Sequence, residues 1–309
     1  MRVVFCGNPE FAVPVLDRLL TSRHSVVAAV ASPDKPRGRG RKLSPLPVKE
    51  RALAARIPVM QPVSLRDAEF LSDVRALDPD CLVVVAFRIL PRELFALPRL
   101  GSFNVHPSLL PRGRGPAPIR WTLLRGERET GVTIIRLSET VDGGDILRQE
   151  RTAVGDDEDF GSLHDRLAQT GAGLLLEVLD AFESGTPPEP MPQDETQVTT
   201  APKLRAADFE LDWNRSAHEL NHHIRALSPF PGAATRWNGG RFKILQAEIA
   251  TSIPDVRPSQ VQADPKGGLV VGTGQGALKL KRVQAEGKRV MTVEEFLRGR
   301  PSIPDCLGE

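Results

Sequence analysis

The chain has 309 residues, 40% of them hydrophobic and 26% charged, and a formal net charge of +2. That length exceeds what one compact core usually holds, so two domains are expected in a water-soluble globular protein. No apolar run is long enough for a bilayer, the N-terminus lacks a signal-peptide profile, and Cys6, Cys81 and Cys306 are too scattered for disulfides or metal, which points to a reducing cytoplasm and away from membranes. Arg2–Cys6 and Ser25–Ala31 are short valine-rich runs suited to buried parallel strands. Between them Phe11, Val15, Leu16, Leu19 and Leu20 recur at helical spacing behind Pro9. Val59–Met60, Cys81–Ala86, Phe103–His106 and Val132–Arg136 continue the strand series, separated by helical stretches over Val48–Ala55, Asp67–Ala76 and Ile119–Leu124. This alternation predicts an α/β fold over residues 1–185, an open and mostly parallel Rossmann-like sheet covered on both faces, with Phe160–Phe182 as its last amphipathic helix. Residues 186–204 carry four prolines between Pro187 and Pro192 and then polar residues without periodicity, the composition of a semi-rigid linker. In residues 205–309, Ser216 and Glu219 form a capping box for a helix through Ala226. Strand-like segments follow, broken by Asn238-Gly239-Gly240, Lys266-Gly267-Gly268 and Thr273-Gly274-Gln275-Gly276, a pattern that predicts a small antiparallel β-barrel.

The chemistry concentrates where the Phe103–His106 strand ends. Asn104 and His106 are two residues apart, so in a strand both project from one face, and the prolines and glycines from Pro107 to Pro118 hold the next loop in a defined shape. Asp142, in Val141-Asp142-Gly143-Gly144-Asp145, has two readings: a hairpin turn in which the aspartate binds its own backbone, or a carboxylate brought to a ligand. Beside Asn104 and His106 it supplies the proton acceptor of an acyl-transfer site. Lys35, Arg37, Arg39, Arg41 and Lys42 place five cations within eight residues. Either they form a solvated surface loop, or they contact the phosphates of a nucleic acid or another polyanion. Gly7-Asn8-Pro9 lacks the three-glycine dinucleotide fingerprint and reads as a simple strand-to-helix turn. His218, His222 and His223 lack a third metal ligand and read as ordinary helix histidines, with no metal expected.

With these residues laid out, the chain resembles the folate-dependent formyltransferases nearly end to end. The resemblance lies in Gly7-Asn8-Pro9-Glu10-Phe11-Ala12, the segment from Lys35 to Pro45, Asn104-Val105-His106 with Ser108–Pro111, Glu129-Thr130-Gly131-Val132-Thr133-Ile134, Asp142-Gly143-Gly144-Asp145 and the run from Ile224 to Gly232. It implies a formyltransferase fold followed by an oligonucleotide-binding (OB-like) barrel. It also implies Asn104, His106 and Asp142 as the catalytic trio, and Ser108, Leu109, Leu110 and Pro111 as a folate-binding segment. Phe87, Ile89 and Leu90 correspond to the pterin-pocket segment, which is one residue shorter here than the family pattern. Arg39 lies in the loop that the family extends toward a tRNA acceptor stem. The basic loop and the Ile224–Gly232 run resemble the tRNA-acting branch. The implied reaction is formyl transfer from 10-formyltetrahydrofolate to the α-amino group of methionyl initiator tRNA, by a cytoplasmic and monomeric enzyme with no metal and no obligate protein partner. An enzyme acting on an amino sugar nucleotide could use the same trio, and a non-catalytic RNA-binding relative is the alternative of a different class.

Overall fold

The computed structural model describes residues 1–37, 42–251, 256–264, 268–298 and 303–308. Arg39 and Arg41 of the basic run therefore lie outside the described residues. In chain order the elements are β1 Arg2–Gly7, α1 Val13–Leu20, β2 Ser25–Val30, β3 Lys35–Arg37, β4 Lys42–Ser44, α2 Pro47–Ala54, β5 Val59–Met60, α3 Ala68–Ala76, β6 Cys81–Val85, α4 Arg92–Phe95, β7 Ser102–His106, α5 Pro118–Leu124, β8 Glu129–Arg136, β9 Ile146–Ala153 and α6 Phe160–Glu183. They continue as α7 Ala217–Leu227, β10 Ala233–Trp237, β11 Gly240–Ile249, β12 Val261–Asp264, β13 Gly268–Gly272, β14 Ala277–Ala285, β15 Met291–Thr292 and α8 Val293–Leu297. No helix among the described residues is long and apolar enough to cross a membrane.

Two compact units emerge, and neither is continuous in sequence. The first takes Met1–Pro118, Glu129–Ala153 and His164–Pro202, and the second takes Ile119–Arg128, Val154–Leu163 and Lys203–Glu309. The stretch expected to be a linker thus belongs for the most part to the first unit. Met191 bridges Ile146 at the start of β9, and Thr200 bridges Arg114.

The first unit is a seven-stranded sheet in the order β5-β2-β1-β6-β7-β8-β9. Strands β5, β2, β1, β6 and β7 run parallel, while β8 and β9 join antiparallel. The valine-rich sequences explain the parallel part: Val3, Val4, Phe5 and Cys6 are all buried, as a strand covered on both faces requires. Cys6 on β1 and Cys81 on β6 share that burial, which pushes both thiols up to about 12 and leaves them inert. At the sheet edge β9 carries Arg148, Gln149, Glu150 and Arg151 and alternates only weakly, a polar strand in which charge guards an open edge. The chain winds from β1 out to β2 and β5 and then from β6 the other way. The switch point therefore falls between β1 and β6, where α/β folds open a crevice at the strands' carboxyl ends. The described ends of the basic run, Lys35–Arg37 and Lys42–Ser44, pair antiparallel as β3 and β4 and follow the carboxyl end of β2.

The second unit holds an antiparallel sheet in the order β10-β11-β14-β13-β12, with β15 on β14. Its core joins Leu220, Ile224 and Leu227 of α7 to Trp237, Phe242, Leu278, Leu280 and Phe296. Helix α7 starts at the expected capping box: the Ser216 hydroxyl accepts from the Glu219 backbone N–H (3.3 Å), and the Glu219 carboxylate accepts from the Ser216 N–H (3.0 Å). His223 of this helix donates from Nε2 to the Asp208 carbonyl at 2.7 Å.

Candidate active site

Strand β7 is buried along its whole length, and its two polar side chains are buried with it: Asn104 is 9% and His106 4% exposed. Their i, i+2 spacing puts both on one face at the carboxyl end of the strand. Among the described residues no hydrogen bond reaches the Asn104 side-chain amide, and its atoms are not among the fully buried ones without a partner, so its donor and acceptor are available at this point.

His106 is held from both sides. Its Nε2 lies 2.9 Å from the Gly113 carbonyl oxygen. A carbonyl only accepts, so Nε2 carries a proton and donates it there. That leaves Nδ1 facing the Asp142 carboxylate, with Oδ1 at 3.6 Å. The distance is longer than a hydrogen bond and leaves slack that a bound substrate can take up.

Asp142 reaches this position by a detour. His106 pairs with Thr133 and Phe103 with Arg136, so antiparallel β8 passes the level of His106 and ends three residues, about 10 Å, beyond it. The loop after β8 folds back over the sheet face to cover that distance. Asp142 sits in left-handed backbone (φ +54), and Gly144 passes the Arg136 carbonyl so closely that a Cβ there would lie 1.7 Å from its oxygen. The carboxylate does not bind its own loop as a hairpin aspartate would: Oδ2 accepts from the Gly115 N–H at 2.9 Å. The structure therefore brings Asn104, His106 and Asp142 to one face, His106 and Asp142 by direct approach.

Several residues that frame the site carry no local sequence signal. Thr133, fully buried, donates to the Ser108 carbonyl (2.6 Å) and accepts from the Leu110 N–H (3.2 Å) and from Gln149 (2.8 Å), fixing the turn after β7. Gln149 also donates to the Leu110 carbonyl at 3.0 Å. Gln193 donates to the carbonyls of Asp142 (2.8 Å) and Gly144 (2.7 Å), while its oxygen accepts from Arg114.

The segments matched to folate binding fall around this edge. The Ser108 hydroxyl is engaged, donating to the Arg112 carbonyl at 2.6 Å. Leu109 lies against Gly131, where a Cβ would come within 2.5 Å of it, and Leu110 packs with Ile135 and Ile146 in a small apolar cluster; Pro111 follows a cis peptide bond. Leu90, with Phe87 against it, belongs to a different cluster, formed by Val4, Val30, Leu82 and Val84. Ile89 is 76% exposed beside them. The shortened loop is tied down by Arg88, which donates to the carbonyls of Pro62 (2.9 Å) and Val63 (3.0 Å). At Gly7-Asn8-Pro9, Asn8 accepts from the Ser32 N–H (2.9 Å) and donates to its hydroxyl (3.1 Å), a clasp between the loops after β1 and β2. The Lys35–Arg37 and Lys42–Ser44 strands carry the described part of the basic run, with Lys35 exposed.

Comparison with known proteins gives the same assignment by a separate route. Residues 1–179 match the family model described as formyl transferase, and residues 203–301 match that of the formyl transferase C-terminal domain. A curated methionyl-tRNA formyltransferase from Moorella thermoacetica is 44% identical over 310 residues, covering 100% of this chain and 99% of the relative. Among solved structures, WlaRD, a sugar 3N-formyl transferase crystallised with dTDP and 5-N-formyl-THF, has the same fold at 15% identity, with a TM-score of 0.68 over 94% of this chain and 99% of that one. HypX from Aquifex aeolicus, in complex with tetrahydrofolic acid, matches at 19% identity with a TM-score of 0.64; 96% of this chain is covered, and it spans 47% of that longer protein. With one such model on each part of the chain and a full-length relative at this level of identity, the protein belongs to the formyl transferase family.

Proposed function

We propose that this chain is a methionyl-tRNA formyltransferase, moving a formyl group from 10-formyltetrahydrofolate to the α-amino group of methionyl initiator tRNA. The observation that carries the reading is the open Asn104 amide on the same strand face as a His106 ring whose second nitrogen looks onto Asp142. That is a donor pair for a carbonyl oxygen with a proton acceptor beside it, the minimum for acyl transfer between nitrogens. The full-length relatives named methionyl-tRNA formyltransferase support this acceptor over an amino sugar nucleotide.

In this reading Asn104 Nδ2 and a protonated His106 Nδ1 donate to the formyl oxygen as attack by the amine turns it into an oxyanion. Asp142 takes the proton from the new ammonium and returns it to the folate nitrogen as the old C–N bond breaks. Atoms and charge balance without a covalent enzyme intermediate, because an α-amino group with pKa near 8 is nucleophilic enough once neutral. Ser108 to Pro111 and the Phe87–Leu90 loop border the donor. Lys35, Arg37, Arg39, Arg41 and Lys42 meet phosphates of the tRNA. The antiparallel sheet of the second unit, whose β11 shifts register against β14 between Ile244 and Ala247, serves as an OB-like barrel that grips the nucleic acid.

A mass-spectrometric formylation assay with methionyl initiator tRNA, an amino sugar nucleotide and 10-formyltetrahydrofolate tests this. Formylmethionyl-tRNA is the expected product, and formylation of the sugar alone would overturn the assignment. Asn104→Ala is expected to lower kcat by roughly 10²–10³ with folate binding retained.

A further inference from the structure

The residues Gly113-Arg114-Gly115 tie the two reacting partners together. The Gly113 carbonyl receives the His106 Nε2–H, and the Gly115 N–H holds the Asp142 carboxylate. Both are braced by the segment from Gln193 to Ala201. Thr199 accepts from the Gly113 N–H on its hydroxyl (2.9 Å) and from the Arg114 N–H on its carbonyl (2.9 Å), and the Ala201 N–H donates to the Arg114 carbonyl (2.6 Å). Gly115, at φ +124, passes so close to this segment that a Cβ would lie 2.7 Å from the Ala201 carbonyl oxygen.

The side chains complete the brace. Gln193 Oε1 accepts from Arg114 Nε (3.0 Å) and Nη2 (2.8 Å), and Gln193 Nε2 donates to the carbonyls of Asp142 (2.8 Å) and Gly144 (2.7 Å). All four bonding positions of the amide are used. Its orientation is fixed as well, since the opposite flip would set an NH₂ against a guanidinium and an oxygen against two carbonyls. Arg114 is in turn held by a two-pronged pair to Glu195, at 2.8 Å and 3.1 Å, which keeps the Glu195 carboxyl below its usual range. Asp142 itself sits in left-handed backbone, a conformation that aspartate adopts more readily than most residues and that the bonds to its carbonyl and carboxylate hold in place.

We propose that Gln193 is a positioning residue: clamped by Arg114, it fixes the Asp142–Gly144 backbone and so aims the Asp142 carboxylate at His106. The proposal rests on the acyl-transfer reading above for its consequence in turnover, and on geometry alone for its structural part. Gln193→Glu keeps the size and both acceptors for Arg114 but sets an oxygen against the two loop carbonyls. Gln193→Met keeps the length and removes all four bonds.

Two measurements on the full chain test it. In hydrogen exchange, either variant should speed exchange of the Gly115 amide by about tenfold or more, with the amides of β1 and β6 unchanged. In formylation assays, either variant should lower kcat roughly 10- to 100-fold with KM for 10-formyltetrahydrofolate held within about twofold. In an Asp142→Asn background the same changes should have no further effect, because a residue acting only through Asp142 has nothing left to aim. Unchanged Gly115 exchange, or losses that multiply in the double variants, would overturn the proposal. A wild-type protein that fails to formylate methionyl-tRNA would refute the functional reading, and the exchange result would still decide the positioning role.

Discussion

At the scale of single residues, the site depends on buried polar groups whose partners lie far off in sequence. Thr133 is the clearest case, with one hydroxyl serving the Leu110 N–H, the Ser108 carbonyl and the Gln149 amide. Thr133→Val keeps the shape and leaves the Leu110 N–H without an acceptor, which should cost about 1–3 kcal/mol in urea unfolding with the slope unchanged. Thr133→Ser should recover most of the loss, and equal stability of Val and wild type would show that the hydroxyl is dispensable. Asn104 and His106 stand out in the sequence because period-2 spacing at a strand end needs no knowledge of the rest of the chain. Asp142 stands out through its glycines, but the return of its loop across the sheet does not, since nothing local encodes that β8 runs three pairs past His106. Gln193, Arg114 and Thr199 are silent for the same reason: each looks like ordinary polar composition until tertiary pairing brings them together. The segment from Pro187 reads as a linker because proline content reports stiffness, not what a stiff segment is bonded to.

At the scale of elements, the buried strands are legible and the exposed ones are not. Valine-rich β1, β2 and β6 announce themselves, whereas β9 is a polar edge, and β3 (Lys-Pro-Arg) and β4 (Lys-Leu-Ser) are three-residue strands with no apolar run to signal them. Helix α7 is legible through its capping box, and its chemistry gives the second unit a defined acid response. Burial lowers His222 and His223 below the ordinary value of 6.5; for His223 the bond to the Asp208 carbonyl opposes this, and for His222 Arg225 and His218 add to it. Such groups favour the unfolded chain as it takes up protons, so stability falls as pH drops through 6.5. Glu219 acts lower down. Its bonds from the Ser216 N–H and hydroxyl hold its carboxyl at about 2 instead of 4.5, so its contribution is complete above 4.5 and is lost as pH falls toward 2. Trp121, Trp213 and Trp237 are the chain's three tryptophans and all belong to the second unit, so intrinsic fluorescence reports its unfolding separately. The fluorescence midpoint should fall between pH 7 and 5, and His223→Gln should flatten that limb while sparing the one below 4.5. Ser216→Ala should lower stability by about 1 kcal/mol at neutral pH. A midpoint level from pH 7 to 5 in the wild type would rule out the histidine contribution.

At the scale of the whole molecule, charge is distributed in a way that matches a polyanionic substrate. The formal net charge is only +2, yet Lys35, Arg37, Arg39, Arg41 and Lys42 alone exceed it, so the rest of the chain is net acidic. On the proposed reading, attraction to a nucleic acid must then be local, and the β3–β4 pair that carries Lys35, Arg37 and Lys42 follows the same carboxyl edge of the sheet that ends in Asn104 and His106. Each cation that neutralises a phosphate releases condensed counterions, so the number of contacts is written in the salt dependence of binding. Changing Lys35, Arg37 and Lys42 to glutamine should reduce the slope of log affinity against log salt by about two to three for methionyl-tRNA. The same variant should keep its KM for 10-formyltetrahydrofolate and its kcat at saturating tRNA, since in the proposed function these cations contribute to binding and none of the proton transfers passes through them. An unchanged slope would return the hairpin to the status of a solvated surface and would require the tRNA to be held by cations elsewhere in the chain.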